Sequence, residues 1–168
     1  QSPPMMGSLF LFGYRKTWKL VPTGEAASAY QRITLRSDIG CIRHKTITMG
    51  EDEQGRPALY WLSHIGPWRA GAGGVQYIGR DMEDRWASVN LAATGVVGFS
   101  LFLPDRHQVW FYVAVGASQN NPNEKWVFDC RLGRITEINQ IQTMRYGWSR
   151  ATGLSTEARC GVLFANTL

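Results

Sequence analysis

The chain has 168 residues, of which 44% are hydrophobic and 18% are charged, and this composition excludes an intrinsically disordered chain. Its formal net charge of +5 would suit a nucleic-acid partner, but the cations are scattered and the densest group is Arg15, Lys16 and Lys19. We therefore expect a globular protein with one sizeable core and no nucleic-acid partner.

Alternating apolar residues and turn-forming clusters predict short strands over the first half of the chain. A hairpin is predicted at 9–12 and 17–21, followed by strands at 30–35, 41–49, 58–63, 67–70 and 75–78. Residues 80–89 break this pattern, because Met82, Trp86 and Val89 have the spacing of an amphipathic helix. We predict one short helix near residues 81–89, with Asp81 as its N-cap.

Strands are predicted to resume in the second half of the chain, at 96–103, 109–115 and 126–132. The apolar run at 109–115 does not alternate, which predicts a strand that is covered on both faces. Residues 133–145 are polar and are interpreted as an insertion loop. An outer strand at 146–150 and the start of a further unit at 160–165 complete the predicted elements.

The chain contains a near-copy of one of its own segments fifty residues further on. Residues 9–20 align without a gap on residues 59–70, and each segment has an apolar run, a turn and a tryptophan followed by a cation. A looser third copy has its apolar run at 109–113 and its tryptophan after a longer turn. The repeated tryptophans are Trp18, Trp68 and Trp126. Self-similarity at this period is typical of propellers and solenoids.

These patterns predict an all-β fold made of β-propeller blades of about fifty residues. The predicted strands give roughly three four-stranded sheets that are out of phase with the chain, since the first sheet lacks its first strand and the chain ends as a new sheet begins. We divide this single propeller-type domain into units at 8–36, 37–90, 91–155 and 156–168.

Three blades are fewer than the four to eight that usually surround a propeller axis. We therefore expect either that two chains close a six-bladed ring or that this sequence is part of a longer propeller. In both cases the ends of the chain carry open sheet edges. The strands expected at such an interface are Leu9, Phe10, Leu11 and Phe12 near one end, and Val162, Leu163 and Phe164 near the other.

Several segments resemble the repeating segments of propeller-type structural proteins from tailed bacteriophage or prophage particles. They are SDIGC at 37–41, YWLS at 60–63, GPWR at 66–69 and VQYIGRDME at 75–83, with WVFD at 126–129 and GWS at 147–149 similar to the outer strands. The resemblance implies a non-enzymatic structural or assembly role in a virion, made in the host cytoplasm. It also implies copies of this chain or other virion proteins as partners. Proteins of that family are usually longer, whereas this chain is short and out of phase.

The cysteine and histidine pattern favours neither disulfides nor a metal. Cys41, Cys130 and Cys160 are an odd number without paired spacing, which argues against a disulfide framework and favours a reducing compartment. The chain has no Cys-x-x-Cys pair, and its three histidines lie far apart in sequence. No apolar run has the length of a membrane span and no signal peptide opens the chain, so we expect no membrane partner.

No catalytic constellation or cofactor-binding motif is predicted. Ser100 lacks the second glycine of a nucleophile elbow, and the glycines at 71–74 lack the lysine and following helix of a phosphate-binding loop. A propeller glycosidase would need paired carboxylates, for which the candidates are the acidic groups at 51–53 and 81–84 and Asp129. Hairpin-loop solvation and helix capping explain the two acidic groups, so we predict that the chain is not an enzyme.

The recurrence of Trp18, Trp68 and Trp126 favours packing between blades over ligand stacking. Lys19 and Arg69, each directly after its tryptophan, are then expected on the opposite face and solvated. Two alternatives stay open. A carbohydrate- or protein-binding propeller module predicts exposed Trp or Tyr around a central pocket, and a propeller-type glycoside hydrolase predicts two carboxylates that converge at the propeller axis.

Overall fold

A computed structural model describes residues 8–25, 28–131, 135–138, 141–144 and 147–152. The described residues form antiparallel sheets with few helices, and no sheet among them closes on itself. The predicted all-β class is therefore confirmed. None of the helices in the described part of the chain combines the length and the apolar character that a bilayer crossing needs.

Three sheets follow one another along the chain, and in each the strands pair antiparallel in chain order, with one separate hairpin before the last strand of the third sheet. Sheet I contains β1 (Leu9–Phe12), β2 (Thr17–Glu25) and β3 (Ser28–Arg36). Sheet II contains β4 (Thr48–Glu51), β5 (Pro57–Ser63), β6 (Gly66–Gly71) and β7 (Gly74–Tyr77). Sheet III contains β8 (Phe99–Leu103), β9 (Gln108–Val113), β10 (Glu124–Asp129) and β13 (Gly147–Thr152).

The segment between β10 and β13 is a further antiparallel hairpin, so the prediction of an insertion loop at 133–145 is wrong. Its strands are β11 (Ile135–Ile138) and β12 (Ile141–Met144). Both are rich in Ile and Thr, and β-branched residues favour extended backbone even where polar neighbours give the segment a loop-like composition. The predicted outer strand is present, since β13 pairs with β10 at the edge of sheet III.

The three aligned sequence segments occupy matching places in the three sheets. Each forms a two-stranded hairpin in which the tryptophan lies opposite an apolar residue of the preceding strand. The pairs are Leu11 with Trp18 in sheet I, Trp61 with Trp68 in sheet II and Phe111 with Trp126 in sheet III. Leu11, Trp61 and Phe111 are fifty residues apart in sequence, so the sequence alignment is also an alignment of strand register.

Sheet II packs between the other two sheets, and side chains that alternate along β5 bury opposite faces. One face of sheet II forms a buried cluster with residues of sheet I and of the linker that follows it: Phe10, Ile39, Cys41, Leu59, Trp61, Trp68 and Ala70. The other face forms a second cluster with sheet III, which includes Ala58, Tyr60, Leu62, Val109, Phe111, Val113, Trp126 and Phe128.

The linker between sheets I and II fixes how these sheets meet. The Cys41 amide donates a hydrogen bond to the Gly13 carbonyl over 2.9 Å, and the Trp61 indole Nε1 donates to the Gly40 carbonyl over 3.0 Å. Thr17 Oγ1 donates to the Ile39 carbonyl over 2.8 Å. The linker thus joins the β1–β2 turn to the centre of sheet II.

This linker also explains why the predicted strand at 41–49 is wrong over residues 41–47. A 3₁₀ turn occupies His44–Thr46, and the strand begins only at Thr48. The Thr46 hydroxyl donates to the Arg43 carbonyl over 2.7 Å, a local side-chain bond that competes with a sheet ladder.

The helical segment differs from the prediction in its cap and extent. A 3₁₀ turn at Arg80–Met82 precedes helix α1 (Glu83–Trp86), whose N-cap is Met82 and has no side-chain cap, so the prediction of Asp81 as N-cap is wrong. A second helix, α2 (Leu91–Val97), lies where a strand was expected to begin. Asn90 caps it by accepting a 3.1 Å hydrogen bond from the Ala93 amide. This cap favours a helical start at Leu91, and the helix ends at Val97, just before β8.

Gly40 should be intolerant of a side chain, because a Cβ atom there would lie 1.9 Å from the Gly13 carbonyl oxygen. We expect Gly40→Ala to lower the free energy of unfolding by about 2 kcal/mol or more, since backbone has to move to relieve the overlap. Chemical denaturation monitored by tryptophan fluorescence measures this loss. Gly71→Ala is the matched control, because its Cβ would meet the Ala58 Cβ at an ordinary 3.6 Å. Equal stability of the two variants would contradict the linker geometry.

Candidate functional site

The three repeated tryptophans differ in burial. Trp126 is completely buried, with its ring edge-on to Trp86 at 5.7 Å and its Nε1 donating to Glu124 over 2.9 Å. Trp68 is 6% exposed and lies between Tyr77 and the guanidinium of Arg36. Trp18, in the first sheet, is only partly buried. Trp68 and Trp126, whose sheets each pack on the preceding described sheet, are therefore buried, whereas Trp18 in the first sheet is not.

Arg69 is buried, so the prediction that it would be solvated is wrong. It lies opposite Tyr60 on the face of sheet II that packs toward sheet III, and it is 7% exposed. Its guanidinium donates to Glu53 and to the Gln76 amide oxygen, each over 2.5 Å. Lys19, at the corresponding place in sheet I, is partly buried. An arginine that has these partners is tolerated in a buried position, which sequence spacing alone does not reveal.

The acidic group at 51–53 consists of side chains that hold the β4–β5 hairpin and its surroundings. Asp52 accepts hydrogen bonds from the backbone amides of Gln54 and Arg56 and pairs with the Arg56 side chain. Burial alone would raise the pKa of Asp52, but these bonds outweigh it and hold the pKa below its ordinary range. Glu51 pairs with His107, which lies in the turn directly before β9, and Glu53 pairs with Arg69.

The remaining acidic candidates lie elsewhere. Asp81, Glu83 and Asp84 are exposed at the start of the helical segment, and Asp129 lies at the end of β10, where it accepts a hydrogen bond from the Arg131 amide. No group of three metal-ligating side chains occurs among the residues that the structure describes.

Cys41 and Cys130 are free, buried thiols. Burial raises the pKa of Cys41, and it raises the pKa of Cys130 to about 11. Both thiols are therefore protonated at neutral pH and act as small apolar groups in the core. Cys160 lies outside the described residues.

Two surface grooves could hold a ligand by size, at about 560 and 460 Å³. The first lies around residues 87–91 and 116–117, and the second lies between sheets I and II near Phe10, Lys19 and Val75. The described linings of both grooves lack the Trp or Tyr side chains expected of a sugar-stacking site.

The most distinctive surfaces are the two outer sheet faces at the ends of the stack. The leading face is the side of sheet I that points away from sheet II, and it carries Leu9, Leu11, Trp18 and Leu20. The trailing face is the side of sheet III that points away from sheet II, and it carries the partly exposed Leu101, Trp110 and Tyr112 together with Phe99 and Val127, which are buried. Strand register assigns these residues to their faces.

Equivalent positions show that these faces are apolar in the same way as the buried faces of sheet II. Tyr60 and Leu62 are completely buried against sheet III, whereas Trp110 and Tyr112, fifty residues later, remain partly exposed. No sheet among the described residues packs on the trailing face.

The leading face repeats this relation at the other end of the stack. Trp61 is completely buried against sheet I, but Leu11, fifty residues earlier, is partly exposed. Both ends thus present surface that sheet II buries.

Cations partly screen Trp110 from water. The Lys125 ammonium lies 3.7 Å from the ring centroid, and the Arg106 guanidinium lies 6.0 Å from it. An exposed cation–π contact contributes about 0.5–1 kcal/mol, whereas complete burial of a tryptophan side chain contributes up to about 4–6 kcal/mol. Because the lysine stem is flexible, a packed partner can displace the cation at small cost.

Sequence reasoning placed one interface on β1, and the structure divides that strand between two surfaces. Phe10 is 4% exposed and Phe12 lies 5.0 Å from Trp61, so these two residues pack inside the molecule. Leu9 and Leu11 belong to the leading face. The strand expected at 162–164 lies outside the described residues. The trailing face was not predicted as a site, although the non-alternating run at 109–115 carried the signal.

No protein-family model matches this chain, and no curated protein matches it.

The Arg85–Glu124 ion pair joins helix α1 to sheet III, and it should make stability depend on pH. Burial alone would raise the pKa of Glu124, but hydrogen bonds from Arg85 and Trp126 outweigh it and lower the pKa below 4.5. A lowered carboxyl pKa stabilises the fold above about pH 4.5, and the contribution disappears as the pH falls through the folded-state pKa.

We therefore expect Glu124→Gln to lower the free energy of unfolding by about 1 kcal/mol at pH 7, since the 37% exposed Arg85 is screened by solvent. The difference from the native chain should shrink as the pH falls below about 4.5, the ordinary pKa of a glutamate. Urea denaturation across this range measures it. Asp38→Asn, which breaks an exposed pair with Arg36, is the control and should change little. A pH-independent difference for Glu124→Gln would contradict the assignment.

Proposed function

We propose that this chain is a non-enzymatic structural protein whose β-sheets stack as propeller-type blades and mediate contacts with other proteins. The observation that carries the proposal is the contrast between sheet II, whose central strands β5 and β6 are buried on both faces, and sheets I and III, each of which keeps one largely apolar face partly exposed. Apolar sheet faces of this kind are typical of protein–protein contacts.

The order of strands supports the propeller arrangement within this proposal. Sheets II and III are four-stranded antiparallel sheets that follow one another along the chain, as blades do. Sheet I has three described strands, and its β1 corresponds to the second strand of sheet II. Within the described residues sheet I has no counterpart of β4, and propellers commonly complete such a blade with a strand from another segment of chain.

The place of this function is proposed to be the particle of a tailed phage or prophage. The segments at 37–41, 60–63, 66–69 and 75–83 that resemble phage propeller proteins lie in the linker, in sheet II and in the turn that follows it. In such a particle the rigid stack would present its end faces to neighbouring subunits.

Co-purification with particles tests this proposal. A tagged copy of the gene is expressed in the host that carries it, and released particles are separated on a density gradient after a salt wash. We expect the tagged chain to appear in the particle fraction at a constant ratio to the major capsid protein. A tagged host protein of similar size serves as the control. Recovery of the chain only with free protein at the top of the gradient would contradict the virion role.

A further inference from the structure

We infer that the partner of the leading face is the trailing face of a second copy of this chain, in a head-to-tail contact. This inference rests on the proposed function, because it identifies the partner of the stacked sheets. Its basis is that the chain already forms the same kind of contact twice within itself, between sheets I and II and between sheets II and III.

Each internal contact joins two different kinds of face. The face of sheet I that carries Phe12 meets the face of sheet II that carries Trp61, with ring centroids 5.0 Å apart. The face of sheet II that carries Tyr60 meets the face of sheet III that carries Phe128, with centroids 5.8 Å apart. In both contacts, the face that corresponds to the trailing face of sheet III packs on the face of the next sheet that corresponds to the leading face of sheet I.

Among the described residues, the two faces on which no sheet packs are one of each kind, so a second copy supplies the missing half of both. Another protein would have to reproduce a leading or trailing face, whereas this chain carries both. Two copies would bring six sheets together, which is within the range of closed propellers. The contact is heterologous, so it closes into a ring if the rotation allows and otherwise extends into a chain of copies.

Register predicts which side chains meet. Tyr112 is equivalent to Phe12, and Phe12 packs on Trp61. Because Trp61 is equivalent to Leu11, Tyr112 of one copy should pack on Leu11 of the next. By the same reasoning Trp110 is equivalent to Tyr60. Tyr60 packs on Phe128, and Phe128 is equivalent to Leu20. Trp110 of one copy should therefore pack on Leu20 of the next.

The charges near these faces predict how salt acts. Lys125 and Arg106 lie over Trp110, and the exposed Arg32 lies opposite Leu20 on the neighbouring strand. Cations would approach one another when the faces meet, and added salt screens such repulsion. Association should therefore strengthen as the NaCl concentration rises from low values.

Sedimentation velocity of two single-face variants and of their mixture tests the head-to-tail contact. Leu11→Arg alters the leading face and Trp110→Arg alters the trailing face, while Ile65→Arg alters an exposed turn residue as the control. We expect the unaltered chain and Ile65→Arg to associate, and each face variant alone to bind itself about 30- to 100-fold more weakly. Circular dichroism and thermal unfolding of the dilute variants confirm that they fold.

The mixture distinguishes a head-to-tail contact from a symmetric one. In an equimolar mixture, the intact trailing face of Leu11→Arg meets the intact leading face of Trp110→Arg, so a heterodimer should form at concentrations where neither variant associates alone. Association that survives in one face variant and is lost in the other would mean like faces pairing, and would overturn the inference. A monomeric unaltered chain at all salt and protein concentrations would also overturn it. Recovery in the particle fraction would still decide the proposed virion role separately.

Discussion

Tyr60 and Trp61 are consecutive residues of β5, their side chains point to opposite faces of sheet II, and both are completely buried. This arrangement requires a sheet on each side, and sheets I and III meet that requirement. Each ring removes up to about 150–250 Å² of surface from water, so the sandwich is a major source of stability. If only one face of its sheet were covered, such a strand would leave either Tyr60 or Trp61 exposed to water.

The same constraint produces the candidate interaction surfaces. When the sheets of a stack repeat the same apolar faces, the outer faces of the first and last sheets are also apolar unless polar residues replace the repeated ones. Sheet III partly covers its outer face with Lys125 above Trp110, and sheet I keeps Leu11 and Trp18 partly exposed. Repeat proteins that remain as single molecules need polar capping units at their ends, and the described residues form no such unit on the outer faces of sheets I and III. Stability and the proposed assembly role therefore follow from one packing pattern.

The fifty-residue spacing predicted three equivalent segments of apolar run, turn and tryptophan, and the structure gives these segments the same strand register. Spacing could not predict the second helix, whose signal is a single cap at Asn90, or the burial of Arg69, whose ion pair with Glu53 depends on a distant loop. The β11–β12 hairpin was missed because its composition is polar. The trailing face was missed although the apolar run at 109–115 carried its signal, because the sequence alone does not show that Trp110 and Tyr112 stay partly exposed where Tyr60 and Leu62 are buried.

Hydroxyl-radical footprinting of the tryptophans at low and high protein concentration tests the central claim, that Trp61 in sheet II is buried between two sheets while Trp18 and Trp110 on the outer faces of sheets I and III are partly exposed. In dilute protein, Trp18 and Trp110 should be oxidised several-fold faster than Trp61 and Trp126. At high concentration the rates for Trp18 and Trp110 should fall together, while Trp61 and Trp126 stay protected. Rapid oxidation of Trp61 or Trp126 in the dilute, folded protein would contradict the three-sheet stack.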